Sequence, residues 1–274
     1  MSRIQLRPAL RAYAHAPPAV ETAAPYTNAY SVALDGVNDY ANSSAAPITP
    51  AGAFSVSLWC KVPTVGIAGT EYIFAFSDSS TYSYRAVISK AKSGSGSSEK
   101  VRYTFAMTDG AGGSFGQRAI NSATGPAEVV KWRHVVVTSS ATSGAAGVGK
   151  IYLDGVDSGG TLTAPQLDAG ASLDEIFVAT RRKSSSGNPE KWFEGNVDEV
   201  SCWNRVLSAS EITALYNSGT PTDINNTSGV TPDAVAWYRM GDAAGGSGTT
   251  IADQIGSVDL TLVSGRTFST DVPT

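Results

Sequence analysis

A chain of 274 residues with 28 glycines, 13 prolines and only 16% charged residues has the length of one large β domain with a sizeable core. Its formal net charge of −4 argues against general nucleic-acid binding, which rests on a basic surface. Two cysteines supply neither a disulfide framework nor a four-ligand zinc site, and no stretch stays apolar long enough to span a bilayer.

Residues 1–29 form a zone of their own. Arg3, Arg7 and Arg11 face a single acid, Glu21, so the zone is basic in an otherwise acidic chain. Pro8, Pro17, Pro18 and Pro25 preclude a continuous helix and favour extended, polyproline-like backbone. The zone lacks the apolar block of a secretory signal, so the expectation is a protein made in a cytoplasm and not exported by the general route. We read it as an anchoring arm ordered on a neighbouring subunit. Arg3, Arg7 and Arg11 would pair with acidic grooves, and Ile4, Leu6, Leu10 and Tyr13 would serve as apolar anchors.

From Tyr30 the texture becomes that of strands and turns. Residues 30–34 read as a strand, followed by a turn on Asp35–Gly36 and Asn38–Asp39. Residues 54–62 alternate, with Phe54, Val56, Leu58, Cys60 and Val62 on one side and Trp59 on the other. Further strands are expected at 72–76, 84–89 and 101–107, with KAKSGSGSSEK between the last two as a hairpin loop. The run WRHVVVT at 132–138 reads as a buried strand, and Asp154–Gly155 as a tight turn after 150–153. Segments at 175–180, 197–203, 234–240 and 257–263 bring the total to about a dozen short strands, the pattern of a two-sheet antiparallel sandwich.

One helix stands out, in LSASEITALYNSG. Ser208 is placed as N-cap with Glu211 three residues on, Leu207 and Ile212 occupy the staple positions, and Gly219 is expected as the left-handed stop. Its apolar face, Ile212, Leu215 and Tyr216, needs a floor. Trp59 and Trp203, on the outward parity of their strands, are expected to lie beneath it, the alternative being an exposed platform that stacks on sugar rings. Cys60 and Cys202 then fall on the core side, and His134, inside a buried-type strand, is expected in a core or inter-strand role rather than a catalytic one.

The pieces SVALDGVNDYA, FSVSLWCKV, WRHVVVT, KIYLDGV and FEGNVDEVSCWNRVLSASEITALY, in that order, resemble the laminin-G-like and pentraxin-like branch of the concanavalin A-like lectin fold. The closing VAWYRMGD, TIADQIG and FSTDVP resemble the end of laminin-G-like domains in tailed-phage structural proteins. The resemblance implies an all-β jelly roll over residues 30–274, often with a sugar-binding face and frequently with calcium. A structural calcium is sometimes held in this fold by the first turn and a late strand, where Asp35, Asp39 and Asp198 are the candidates, against the plainer reading of an Asx turn and a local network. Pentraxin-type calcium would need acids where this chain carries Arg181, Arg182 and Lys183 opposite Asp78. Hydrolases of the fold present two carboxylates about 5–5.5 Å apart. Here LDEIFV and VDEVSC set Asp and Glu side by side, and simple alternation would point them to opposite faces.

These readings argue against an enzyme. They point to a non-enzymatic virion protein, a decoration or surface subunit of a tailed phage assembling with capsid or other virion proteins as an oligomer. The alternative is a carbohydrate-binding adhesion module engaging cell-surface glycans, and the two can coexist.

Overall fold

The computed structural model describes residues 26–49, 52–63, 69–80, 83–108, 115–142, 145–164, 173–182, 186–265 and 267–274. Among them nineteen strands run in chain order. The first seven are β1 (Ser31–Asp35), β2 (Tyr40–Ser43), β3 (Phe54–Lys61), β4 (Thr70–Asp78), β5 (Ser83–Ser93), β6 (Lys100–Thr108) and β7 (Phe115–Asn121). A single helical turn, α1 (Pro126–Val129), precedes β8 (Trp132–Ser139), β9 (Gly147–Leu153), β10 (Val156–Asp157) and β11 (Leu162–Ala164). Next come β12 (Glu175–Val178), β13 (Arg181–Arg182), β14 (Pro189–Glu190) and β15 (Glu194–Trp203), then the helix α2 (Ala209–Tyr216). Short strands β16 (Ala236–Tyr238), β17 (Thr250–Ile251), β18 (Leu260–Val263) and β19 (Thr267–Ser269) close the chain.

Two antiparallel sheets result. The first has the order β10-β9-β8-β3-β15-β1-β19, with β11 also on β9 and β16 also on β15. The second has the order β17-β18-β2-β12-β4-β5-β6-β7. Between them lies the main core, to which β3 and β8 contribute Val56, Leu58, Cys60, Val135 and Val137. The second sheet answers with Phe74, Phe76, Ile88, Tyr103 and Phe105. Phe54 meets Phe76 and Phe105 edge-on, with centroids 5.8 and 6.4 Å apart, the arrangement that ring quadrupoles favour. Cys60 and Cys202 are buried free thiols, and burial pushes Cys60 up to about 12, so both act as small hydrophobes.

Several local expectations are corrected. The expected loop KAKSGSGSSEK is shorter than read: β5 runs on to Ser93 and β6 begins at Lys100, leaving residues 94–99 as the connection, with a 3₁₀ turn at Gly96–Ser98. The left-handed stop of α2 is Asn217, at φ 43°, two residues before Gly219. Asn tolerates that conformation because its short amide can bond locally. In β15 the register shifts between Asp198 and Ser201, and Glu199 has φ 49°. That bulge breaks the alternation, so Asp198 and Glu199 both reach the segment 26–30 instead of opposite faces. Gly195 (φ 141°) permits the close approach of β15 to β3, since a Cβ there would stand 2.1 Å from the Lys61 carbonyl oxygen.

The described residues begin at Tyr26, inside the expected arm, and from there on they contact the sandwich. Tyr26 stacks on Trp237 with centroids 6.2 Å apart, and the Arg239 guanidinium lies 4.6 Å from the Tyr26 ring centroid. Asn28 Nδ2 donates to Asp198 Oδ2 at 3.0 Å, and Asp242 Oδ1 accepts from the backbone N–H groups of Ala29 and Tyr30.

Candidate functional site: the open face of the second sheet

The anchoring residues Arg3, Ile4, Leu6, Arg7, Leu10, Arg11 and Tyr13 lie outside the described residues. The three cation candidates do not come together. Asp35 stands opposite Glu194 at one end of the β1–β15 ladder, whereas Asp198 lies beyond Val197, which pairs with Val32. Asp35 Oδ1 accepts from the N–H groups of Val37 and Asn38, an Asx turn, and Asp39 Oδ2 accepts from Asp35 N–H. Asp198 spends its oxygens on Asn28 and on Glu199 N–H. Among the described residues no cluster of three such side chains suits a metal, so the trio does not fit a shared calcium. Asp78 is likewise engaged, by Arg85 and Ser80.

The outer face of the first sheet is closed. Helix α2 lies over it, burying Trp203, Leu207, Ile212 and Leu215 with Val136, Tyr152 and Trp237. Ser208 Oγ accepts from Glu211 N–H, while the Glu211 carboxylate accepts from Ser208 N–H, the reciprocal cap expected. Trp59 stacks on Tyr216, and the Tyr216 ring also stacks on His134. His134 Nε2 lies 2.7 Å from Ser57 Oγ, and burial holds the imidazole down to about 3. A neutral, sealed imidazole of this kind has no access to a substrate.

The outer face of the second sheet carries a small buried cluster, Tyr72, Ala75, Val87, Ala106 and Phe177, and no helix of the described residues lies over it. Along β6, Val101, Tyr103, Phe105 and Met107 enter the core, so Arg102, Thr104 and Ala106 point away from it. Together with Thr70 and Tyr72 on β4, Val87, Ser89 and Ala91 on β5 and Gln117 on β7, they line a shallow groove of about 300 Å³. Its floor is small and apolar, and its rim carries hydroxyls, an amide and one guanidinium. One flank is the β13–β14 hairpin. Arg181 sits 4.4 Å from the Tyr72 ring centroid and pairs with Glu190, while Arg182 lies over Phe177 and pairs with Glu175.

A larger cleft of about 790 Å³ opens beside the C-terminal end of α2, between Asp154–Val156 and Thr222–Ser228. Its acids serve their own turns: Asp154 binds Arg133 and His134 N–H, and Asp223 binds Asn225 N–H and the Asn226 amide. The groove is the better candidate despite its smaller volume, because Arg102 there has no ion-pair partner among the described residues. Sequence reading had passed over it. The available signal was the polar half of the alternation in VRYTFAMT, with Arg102 and Thr104 between core positions.

The family model described as Concanavalin A-like lectin/glucanases superfamily matches residues 35–213. A curated relative, the sushi, von Willebrand factor type A, EGF and pentraxin domain-containing protein 1 of Rattus norvegicus, is 28% identical over 89 residues. That alignment covers 32% of this chain and 2% of the relative, so the chain spans a small fraction of that protein. Among solved structures, the heptameric SAP-like pentraxin of Limulus polyphemus aligns with TM-score 0.56 and 13% identity, over 88% of this chain and 95% of that one. A putative carbohydrate binding protein of Bacteroides ovatus aligns with TM-score 0.57 and 16% identity, over 91% of this chain and 62% of that one. At such identities the likeness is one of fold. Sandwich topology, the capped helix on one face and the matched span agree: the chain belongs to the concanavalin A-like lectin/glucanases superfamily.

Proposed function

We propose that this domain is a non-catalytic, lectin-like module that binds carbohydrate in the groove on the open face of the second sheet. The observation that carries the reading is the contrast between the two outer faces: one is roofed by α2, and the other holds a shallow groove lined by Thr70, Ser89, Thr104 and Gln117 over the small buried cluster of Val87 and Ala106. Hydroxyl and amide groups around a small apolar floor suit the mixed polar and apolar surface of a sugar. The fold family and the description of the Bacteroides ovatus protein support it. No carboxylate lines the groove among the described residues, and Glu175 and Glu190 beside it are held by Arg182 and Arg181, so no acid pair for glycoside cleavage stands there. A glycan array probed with the full chain, in calcium and in chelator, tests the reading. Binding that is lost on filling the groove with Thr104→Tyr is expected; binding unaltered by that variant overturns the location, and no binding in either condition overturns the reading.

A second reading rests on the seat of Tyr26. The segment 26–30 is fixed on the first sheet's side, where Tyr26 joins the cluster beneath α2, whereas the groove belongs to the second sheet. A tether leaving one side and a ligand face on the other suit a capsid decoration or other surface subunit of a tailed phage, with the preceding residues as its anchor on a virion partner or sister subunit. Incorporation of full-length and arm-deleted chains into particles tests it: normal assembly without the arm overturns the anchoring role.

A further inference from the structure

We propose that the groove selects an acidic polysaccharide, seating a carboxylate or sulfate on Arg102. The inference rests on the carbohydrate-binding reading and deepens it. Charged groups on this face do not balance. Glu175 and Glu190 are taken up by Arg182 and Arg181. Arg102 is exposed and lines the groove, and Lys100, two residues earlier on the same strand, shares its face by alternation. Neither has an ion-pair partner among the described residues. In a chain of net charge −4, the groove is therefore a local excess of positive charge.

Arg102 is also unobstructed. Its cross-strand neighbours are Ala91 and Asn121, one small and one neutral. A guanidinium with such neighbours can present its fork to a planar carboxylate or to a sulfate through two parallel hydrogen bonds. Thr104, Ser89 and Gln117 are placed beside it for ring hydroxyls. The aromatic rings argue in the same direction. A neutral sugar gains most of its affinity by stacking, yet Tyr72 is covered by Arg181 and Phe177 by Arg182. With those ring faces taken, charge and hydrogen bonding must supply the affinity.

The test is titration calorimetry of the full chain with polygalacturonate, dextran sulfate and unmodified dextran. We expect binding to at least one acidic polymer, and the two polymers distinguish carboxylate from sulfate. Arg102→Gln should weaken that binding about tenfold, the loss of roughly one good charged contact, and salt at about 0.5 M should weaken it further. Lys131→Gln, which removes an exposed positive charge away from the groove, should not. Because Arg102 is exposed, its replacement leaves the core intact, and circular dichroism verifies this. If dextran binds as tightly as the acidic polymers, or Arg102→Gln binds like the parent, the acidic preference is overturned while carbohydrate binding stands. Should no polymer bind, both are overturned.

Discussion

The Tyr26 hydroxyl donates to Glu199 Oε1 at 3.0 Å, joining residues 173 positions apart. Glu199 Oε2 accepts from Trp237 Nε1, and the Arg239 guanidinium lies against both stacked rings, 4.6 Å from the Tyr26 centroid and 5.3 Å from that of Trp237. One aromatic side chain thus fastens the N-terminal approach to the outer side of the first sheet. Tyr26→Phe removes the hydrogen bond and should cost about 1 kcal/mol. Tyr26→Ala removes the stack as well and should cost about 2 kcal/mol, less than the roughly 3–5 kcal/mol of a fully buried aromatic. Urea denaturation of both variants reads the difference. If Phe and Ala cost the same, the stack contributes nothing.

The carboxylates around Tyr26 make stability depend on pH. Burial pushes Glu199 up to about 7 from 4.5, against the opposing pull of Arg239, Trp237 and Tyr26, and Asp242 adds to the rise. Asp198 is raised by burial and by Glu199. A carboxyl raised on folding gives stability that is fully present below its unfolded value of 4.5 and lost as pH climbs through about 7. His134 works the other way: lowered by burial from 6.5 to about 3, it gives stability present above 6.5 and lost as pH falls towards 3. Between 4.5 and 6.5 the two slopes oppose each other. Glu199→Gln should expose the histidine slope, with stability falling on acidification, and His134→Gln the opposite slope. Denaturation midpoints across this range are the measurement; a Glu199→Gln profile parallel to the parent's refutes the assignment.

How much of this was legible in the sequence depended on how local the cause was. Ser208 and Glu211 cap α2 as read because the cap closes within four residues. Trp59 and Trp203 lie under the helix as alternation and its apolar face required. The stop at Asn217 was misplaced to Gly219 because both residue types tolerate a left-handed backbone, and only the packing of Tyr216 decides between them. Glu199 escaped because a bulge in β15, invisible to strict alternation, turned it to the side of Asp198. The groove was least legible of all. Its lining comes from β4, β5, β6 and β7, and its flank from Arg181 and Arg182, so no contiguous motif encodes it.

The end of α2 supplies a test of a different kind. Arg205 bonds both oxygens of Glu211, at 2.9 and 2.7 Å, and both of Asp233, at 2.7 and 2.8 Å. These bonds, with those from Ser208, hold the Glu211 carboxyl down to about 2. A depressed carboxylate gives stability present above its unfolded value of 4.5 and lost as pH falls through about 2. Arg205→Gln should therefore move the Glu211 titration, followed by carboxyl carbon NMR, back towards 4.5. Ser208→Ala should cost about 1 kcal/mol at neutral pH. A Glu211 titration unmoved by Arg205→Gln would show that Ser208 alone sets it.

Two deletions separate the arm from the sandwich. Removing residues 1–29 takes away Tyr26 and Asn28, and with them the bonds to Glu199 and Asp198 and the stack on Trp237. Arg239 then loses its place over the Tyr26 ring and its hydrogen bond to the Thr27 carbonyl, keeping Glu199 and Asp242, while the buried Asp198 loses its bond from Asn28. Removing residues 1–25 spares all of these contacts. The shorter deletion should melt with the full-length chain. The longer one should melt lower by about 4–8 °C, given ~2 kcal/mol lost and roughly 2–4 °C per kcal/mol for a domain of this size. Incorporation into particles should fail for both if residues 1–25 carry the anchor, and for the longer deletion alone if the Tyr26 seat carries it. Calorimetry and particle assembly on the same pair of proteins thereby distinguish loss of the anchor from loss of the fold.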